Sequence, residues 1–145
     1  MKELQQCFAQ AAGRHLHDAL LLRACQRWDN AVYLAGYVVE CAFKVLVEIY
    51  FNEDEAAAKK FGHELTKLEG EAIERLRVMY PGLDKQLPAS RTAGTVLAQA
   101  HPERRYAPSD LWNESEAGVA IDRAQEIYLK IIPRLVLDGK ISSRE

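Results

Sequence analysis

The segment from Ala31 to Phe51 constrains this chain more than any other. It is almost entirely apolar, yet Glu40, Lys44 and Glu48 stand inside it at a spacing of four. On a helical wheel Tyr33, Tyr37, Glu40, Lys44 and Glu48 fall in one narrow stripe. Val32, Ala35, Val39, Ala42, Phe43, Leu46, Val47 and Ile49 fill most of the remaining circumference. A helix apolar around most of its girth must be buried around most of its girth. In a chain of 145 residues that makes it the central helix of a bundle, or one that also packs on a second copy. Exposed i,i+4 pairs such as Glu40–Lys44 add only about 0.2–0.5 kcal/mol each. Lining a cleft or an interface, the same charges matter far more. The segment is long enough to span a bilayer, but three internal charges make insertion costly, so no membrane association is expected.

The flanking sequence is helical as well, and no strand or hairpin signal interrupts it. Leu4, Phe8, Ala12, Leu16, Ala19 and Leu20 draw one apolar stripe and predict a first helix from Leu4 to Cys25. The central helix is expected from Asn30 to Tyr50, with Asp29 as its N-cap. A linker or short helix from Glu53 to Lys60 leads to Gly62. Leu65, Leu68, Ala72, Ile73, Leu76 and Met79 predict a third helix over His63 to Tyr80, ended by Pro81-Gly82. Pro88 and Pro102 bracket a short helix from Ser90 to Ala100, with Ser90 as its cap. The following stretch, "HPERRYAPSDLW", reads as an ordered loop. Asn113 with Glu116 has capping-box spacing for a last helix, whose stripe is Ala117, Ala120, Ile121, Ala124, Ile127, Tyr128 and Ile131. Pro133 should kink or end it, and Asp138-Gly139 should stop it. The fold class is therefore all-α, an up-and-down bundle of four to five helices. Residues 1–138 form one domain and 139–145 a frayed tail.

Familiar chemistry is mostly missing. There is no Gly-rich phosphate loop, no His-Glu-x-x-His and no Gly-x-Ser-x-Gly. His15 and His17 are two apart, on different helix faces, so no metal site and no cofactor are expected. A net charge of -2 gives no chain-wide drive toward nucleic acid, although a local basic patch is compatible with it. Cys7, Cys25 and Cys41 lie in apolar or helical contexts and read as buried free thiols. With a polar N-terminal stretch "MKELQQCFAQ", they suggest a cytoplasmic protein. Candidate ligand-binding residues are Glu40 and Lys44 in the charged thread and His63 in "FGHEL". Arg104, Arg105 and Tyr106 in "ERRY" join them, since adjacent arginines beside an aromatic hold a phosphate and stack a base. Trp28 reads as a plug between helices.

The ordered set "RWDNAVYLAGYVVECAFKVLVE", "GHELTKL", "RRYAP" and "EAGVAIDRAQEIYLKIIPRL" resembles the HEPN domain family over about Ala12 to Val136. The family pattern falls on Trp28, Ala31, Tyr33, Ala35, Gly36, Glu40 and Lys44, then on His63 and Leu65, then on Arg105 and Tyr106. The resemblance implies a HEPN-like bundle that forms a homodimer. It also implies a minimal nucleotidyltransferase as partner, in a toxin–antitoxin or defence type system. Many family members are metal-independent RNases with an Arg, four to six intervening residues, and then a His. No Arg stands at that spacing before His15, His17, His63 or His101. Arg27 and Tyr33 have the spacing of a Tyr-ending variant, but at the start of the central helix, outside the family's catalytic region. The expectation is a non-catalytic, dimeric nucleotide- or RNA-binding module, with catalytic residues unassigned. The alternatives are a divergent RNase using Arg104 or Arg105 with Tyr106 or His63, and a purely structural oligomerisation bundle. In such a bundle the Glu40–Lys44 thread would face a groove or the dimer partner, and Gly36 would admit another helix.

Overall fold

The computed structural model describes residues 7–51, 62–83, 87, 92–99 and 101–142, and those residues are all-helical or irregular, with no strand. Helix α1 is Phe8–Ala24 and α2 is Trp28–Tyr50. Helix α3 (residues 65–79) is continuous but mixed: Leu65–Lys67 is α, Leu68–Ile73 is π, and Glu74–Met79 is α again. Helix α4 is Glu114–Leu137. Two short 3₁₀ turns, Pro81–Leu83 and Glu103–Tyr106, lie between α3 and α4. Leu4 and the Glu53–Lys60 segment lie outside the described residues.

Helix α2 is the centre, as its girth requires. It packs on α1, on α4 and on the π stretch of α3, and every residue from Val38 to Val47 is buried. That burial is supplied within one chain. The α1 stripe faces it through Ala9, Ala12, Leu16 and Ala19. Gly13 gives α1 close contact with α4, since a Cβ there would lie 3.2 Å from the Tyr128 hydroxyl. The α1–α2 corner is tight because Gln26 adopts a left-handed φ of 61°, with Arg27 N–H bonding Leu22 O and Gln26 N–H bonding Arg23 O. This is a Schellman closure on a non-glycine residue.

Helix α4 begins as its sequence requires. Asn113 Oδ1 accepts from Glu116 N–H at 2.8 Å, and Glu116 Oε1 accepts from Asn113 N–H at 3.2 Å. Pro133 does not end it, because the helix continues to Leu137. The carbonyl that Pro133 cannot engage belongs to Leu129, which is exposed, so water can satisfy it. Buried Ile131, Ile132 and Leu135 hold the helix on both sides of the proline. Gly139 (φ 71°) closes the end, and Ile141 beyond it still packs against the core.

Three local expectations are corrected. Asp29 does not cap α2; its carboxylate accepts from Leu111 N–H (3.2 Å) and Trp112 N–H (2.9 Å), clipping the distant loop to the start of α2. Met79 is exposed, because α3 ends there. Residues 92–99 form a run of tight turns rather than a helix. Ser90 and Ala100, the expected ends of that helix, lie outside the described residues. Of the cysteines only Cys41 is buried; Cys7 is half-buried, and Cys25 is exposed at the corner after α1.

Candidate functional site

The charged thread turns inward. Glu40 and Lys44 are only 3% and 4% exposed. A buried carboxylate is tolerated only when it is paired and hydrogen-bonded. Three donors reach it: Lys44 Nζ at 3.1 Å from Oε2, His63 Nδ1 at 3.0 Å from Oε2, and His101 Nε2 at 2.9 Å from Oε1. Burial alone would raise the Glu40 pKa, but the bonds and charges of His101, Lys44 and His63 outweigh it and hold the carboxyl below its ordinary value. An ionised carboxylate only accepts, so each facing ring nitrogen carries the hydrogen. The Lys44 ammonium is further covered by the Phe8 ring, 5.4 Å from its centroid. With that ammonium on the carboxylate, the cluster is a salt bridge and not a cation site, and no metal-holding group occurs among the described residues.

Gly36 and Arg104 explain how His101 comes to Glu40. A Cβ on residue 36 would lie 2.4 Å from Arg104 Nη2 and 2.6 Å from His101 Nδ1. The notch thus admits two loop side chains, not a neighbouring helix. Through it Arg104 Nη2 reaches the carbonyls of Val32 (3.0 Å) and Leu97 (3.0 Å), while Nη1 reaches Val96 (2.6 Å) and Gln99 (3.2 Å). Four of the five guanidinium hydrogens are therefore used by backbone carbonyls. Burial, against weaker support from Tyr33 and Tyr37, brings the Arg104 pKa down to about 10. Residues 92–99 close instead through tight turns, with Thr95 N–H bonding Thr92 O and Ala98 N–H bonding Thr95 O. We expect Gly36→Ala to destabilise the fold by about 2 kcal/mol in urea unfolding. The added methyl forces the packed histidine and guanidinium aside at about 1–3 kcal/mol, and this exceeds Ala's helix advantage of about 1 kcal/mol.

Above the carboxylate lies a plate of rings. Tyr37 touches His15 (5.7 Å), Tyr33 (5.2 Å), His63 (5.6 Å) and His101 (4.6 Å) by ring centroids. Burial and the Tyr33 hydroxyl raise the Tyr37 pKa, which keeps its proton on at any physiological pH. Burial lowers the His15 pKa, with Arg14 adding to the effect. The His63 side chain is 55% exposed while its Nδ1 is pinned by Glu40, which leaves Nε2 on the open side. Arg105 is exposed, lies beside Tyr33 on the wall of a neighbouring cavity, and stands 4.9 Å from the centroid of the Tyr106 ring. Tyr106 is itself 80% exposed.

Of the six sequence candidates, Glu40, Lys44 and His63 therefore meet in one cluster. Arg104 supports the loop beneath it, Arg105 lies at its edge, and Tyr106 lies outside it. Sequence reading missed His101, Tyr37, Tyr33 and His15 as members. It also missed Glu69, whose buried carboxylate accepts from Thr92 N–H (2.9 Å), Thr92 Oγ1 (3.0 Å) and Ala93 N–H (3.1 Å) and so anchors the turns of 92–99. Both acids had one readable signal, a carboxylate placed within an apolar stripe. Trp28 is half-buried against the core and borders the neighbouring cavity. Among the described residues no helix is long and apolar enough to cross a membrane. Comparison with protein-family models, with curated proteins and with solved structures finds no match to this chain.

Proposed function

We propose that this chain is a HEPN-type helical module that binds single-stranded RNA or a nucleotide on the face above Glu40. The observation that carries this reading is the ring plate of His15, Tyr33, Tyr37 and His63, with the exposed Arg105 guanidinium at its edge. Bases stack on such rings at about 1–3 kcal/mol each, and an arginine at the border serves the phosphate. The resemblance adds a homodimer and a nucleotidyltransferase partner to this proposal. Fluorescence anisotropy with a labelled single-stranded RNA tests it, with sedimentation velocity on the same samples for the dimer. Binding should weaken about 10-fold or more in Arg105→Ala and Tyr37→Ala, with circular dichroism unchanged, and should fall between about 50 and 200 mM salt. RNA affinity indifferent to both substitutions would remove the face from consideration.

One bond favours a second reading, metal-independent RNA cleavage. His63 has the arrangement of a general base: Nδ1 held 3.0 Å from the Glu40 carboxylate while the ring is half exposed. In that reading His63 takes the proton of a ribose 2′-OH as that oxygen bonds to phosphorus, Arg105 stabilises the phosphorane charge, and the P–O5′ bond breaks with the 5′-oxygen protonated by water. Cleavage in chelator that survives in His63→Ala would eliminate it.

A further inference from the structure

A cavity of about 360 Å³ opens between the α1–α2 corner and the loop that follows the Glu103–Tyr106 turn. Its walls come from Arg27, Trp28 and Tyr33 on one side and from Arg104, Arg105 and Trp112 on the other. We infer that this cavity is a binding site for a small aromatic anion, one planar ring system carrying a single phosphate or carboxylate group.

Two observations point to the anion. Arg104 Nε and Trp112 Nε1 are buried N–H donors without a partner among the described residues; both side chains border this cavity, and each N–H must turn toward it to meet a ligand. Unsatisfied buried donors are uncommon, and each calls for an acceptor. The surrounding charge agrees. Arg27, Arg104 and Arg105 stand against Asp29 and Asp110, and both Asp29 oxygens already accept from Leu111 and Trp112 N–H. The ring is indicated by three aromatic walls, Trp28, Tyr33 and Trp112, in a volume near the small end of ligand sites, which run from about 300 to 1,000 Å³. Gln26 and Asp110, which hold left-handed φ of 61° and 66° without being glycine, also lie on the wall. The site differs from the ring plate above Glu40 and shares only Tyr33 and Arg105 with it, so it stands or falls without the RNA reading.

Both tryptophans of the chain border the cavity, so intrinsic fluorescence reports its occupancy directly. The titrants are AMP and benzoate, which separate phosphate from carboxylate, with adenosine and inorganic phosphate as the ring alone and the anion alone. A saturable change with AMP or with benzoate below about 1 mM supports the site and identifies its anionic group. Adenosine and phosphate should each bind at least about 10-fold more weakly than the better anion, the loss of about 1.4 kcal/mol. Calorimetric titration of Arg27→Ala and of Trp112→Phe, which keeps a ring but deletes the N–H, should show the same order of loss. Melting temperature controls for folding in each variant. Saturation by neither anion overturns the inference, as does adenosine binding as tightly as AMP, or anion binding unchanged in both variants. RNA binding that persists while these titrations fail would sink this site alone.

Discussion

Arg104→Met should lower the free energy of unfolding by about 4 kcal/mol, a large share of the roughly 5–15 kcal/mol that holds a domain together. The methionine fills most of the volume but donates nothing. All four carbonyls lose the guanidinium, but Val32 keeps its place in the α2 ladder and Val96 its bond from Gln99 N–H, so Leu97 and Gln99 bear the loss. Each unsatisfied buried acceptor costs about 1–3 kcal/mol, reduced where water can enter from the cavity side. Arg104→Lys should recover less than half of the loss, because one ammonium cannot span four acceptors fixed to a planar fork. Urea unfolding followed by circular dichroism measures both. A loss below about 1 kcal/mol for Met would mean that the loop is held chiefly by Glu69 and Asp29.

Glu40→Ala should cost about 3–5 kcal/mol, because it leaves the Lys44 ammonium buried beside two imidazole N–H groups with no acceptor. The double variant Glu40→Leu/Lys44→Met should regain most of that, since an apolar pair of similar volume avoids desolvating either charge. If the double variant is as unstable as Glu40→Ala, the cost lies with the histidines and not with the lysine. The same carboxylate sets an acid limit. Its pKa in the fold lies below the ordinary 4.5, so its contribution is complete above pH 4.5 and is lost as pH falls through the folded value. In Glu40→Gln that decline should flatten. Parallel stability curves for the two proteins below pH 4.5 would assign the acid loss to other groups.

The helices were legible because their information is local. The Asn113–Glu116 box, the α4 stripe and the α1 stripe each need only residues three and four apart; the first two are present as read, and the α1 stripe is present from Phe8 onward. The π stretch in α3 was not legible, since Leu68–Ile73 carries the same apolar spacing as an α-helix. Neither were the turns of 92–99, which Glu69 and Arg104 fix from outside the stretch. The site was half legible. Glu40 and Lys44 stood out as charges in an apolar helix, and burial made them consequential. His101 could not be placed, because nothing near it in sequence names a carboxylate 61 residues away, whereas Tyr37 was on the Glu40 stripe but not named as a candidate. The structural role of Arg104 was not legible either: four of its hydrogens go to backbone carbonyls, which leave no sequence pattern.

The separations that hid the site also set the order of its assembly. Glu40 meets His101 across 61 residues, Val32 meets Arg104 across 72, and Asp29 meets Trp112 across 83. The α1–α2 hairpin needs only a corner of a few residues, and short-range contacts form fastest. The hairpin can therefore collapse long before the ring plate or the two-tryptophan cavity exists. During that interval Lys44 has for charge partners its helix neighbours, Glu40 before it and Glu48 after it. The i,i+4 spacing that first set Glu40 and Lys44 apart in the sequence lets them neutralise one another locally while the loop carrying the histidine is still finding its place.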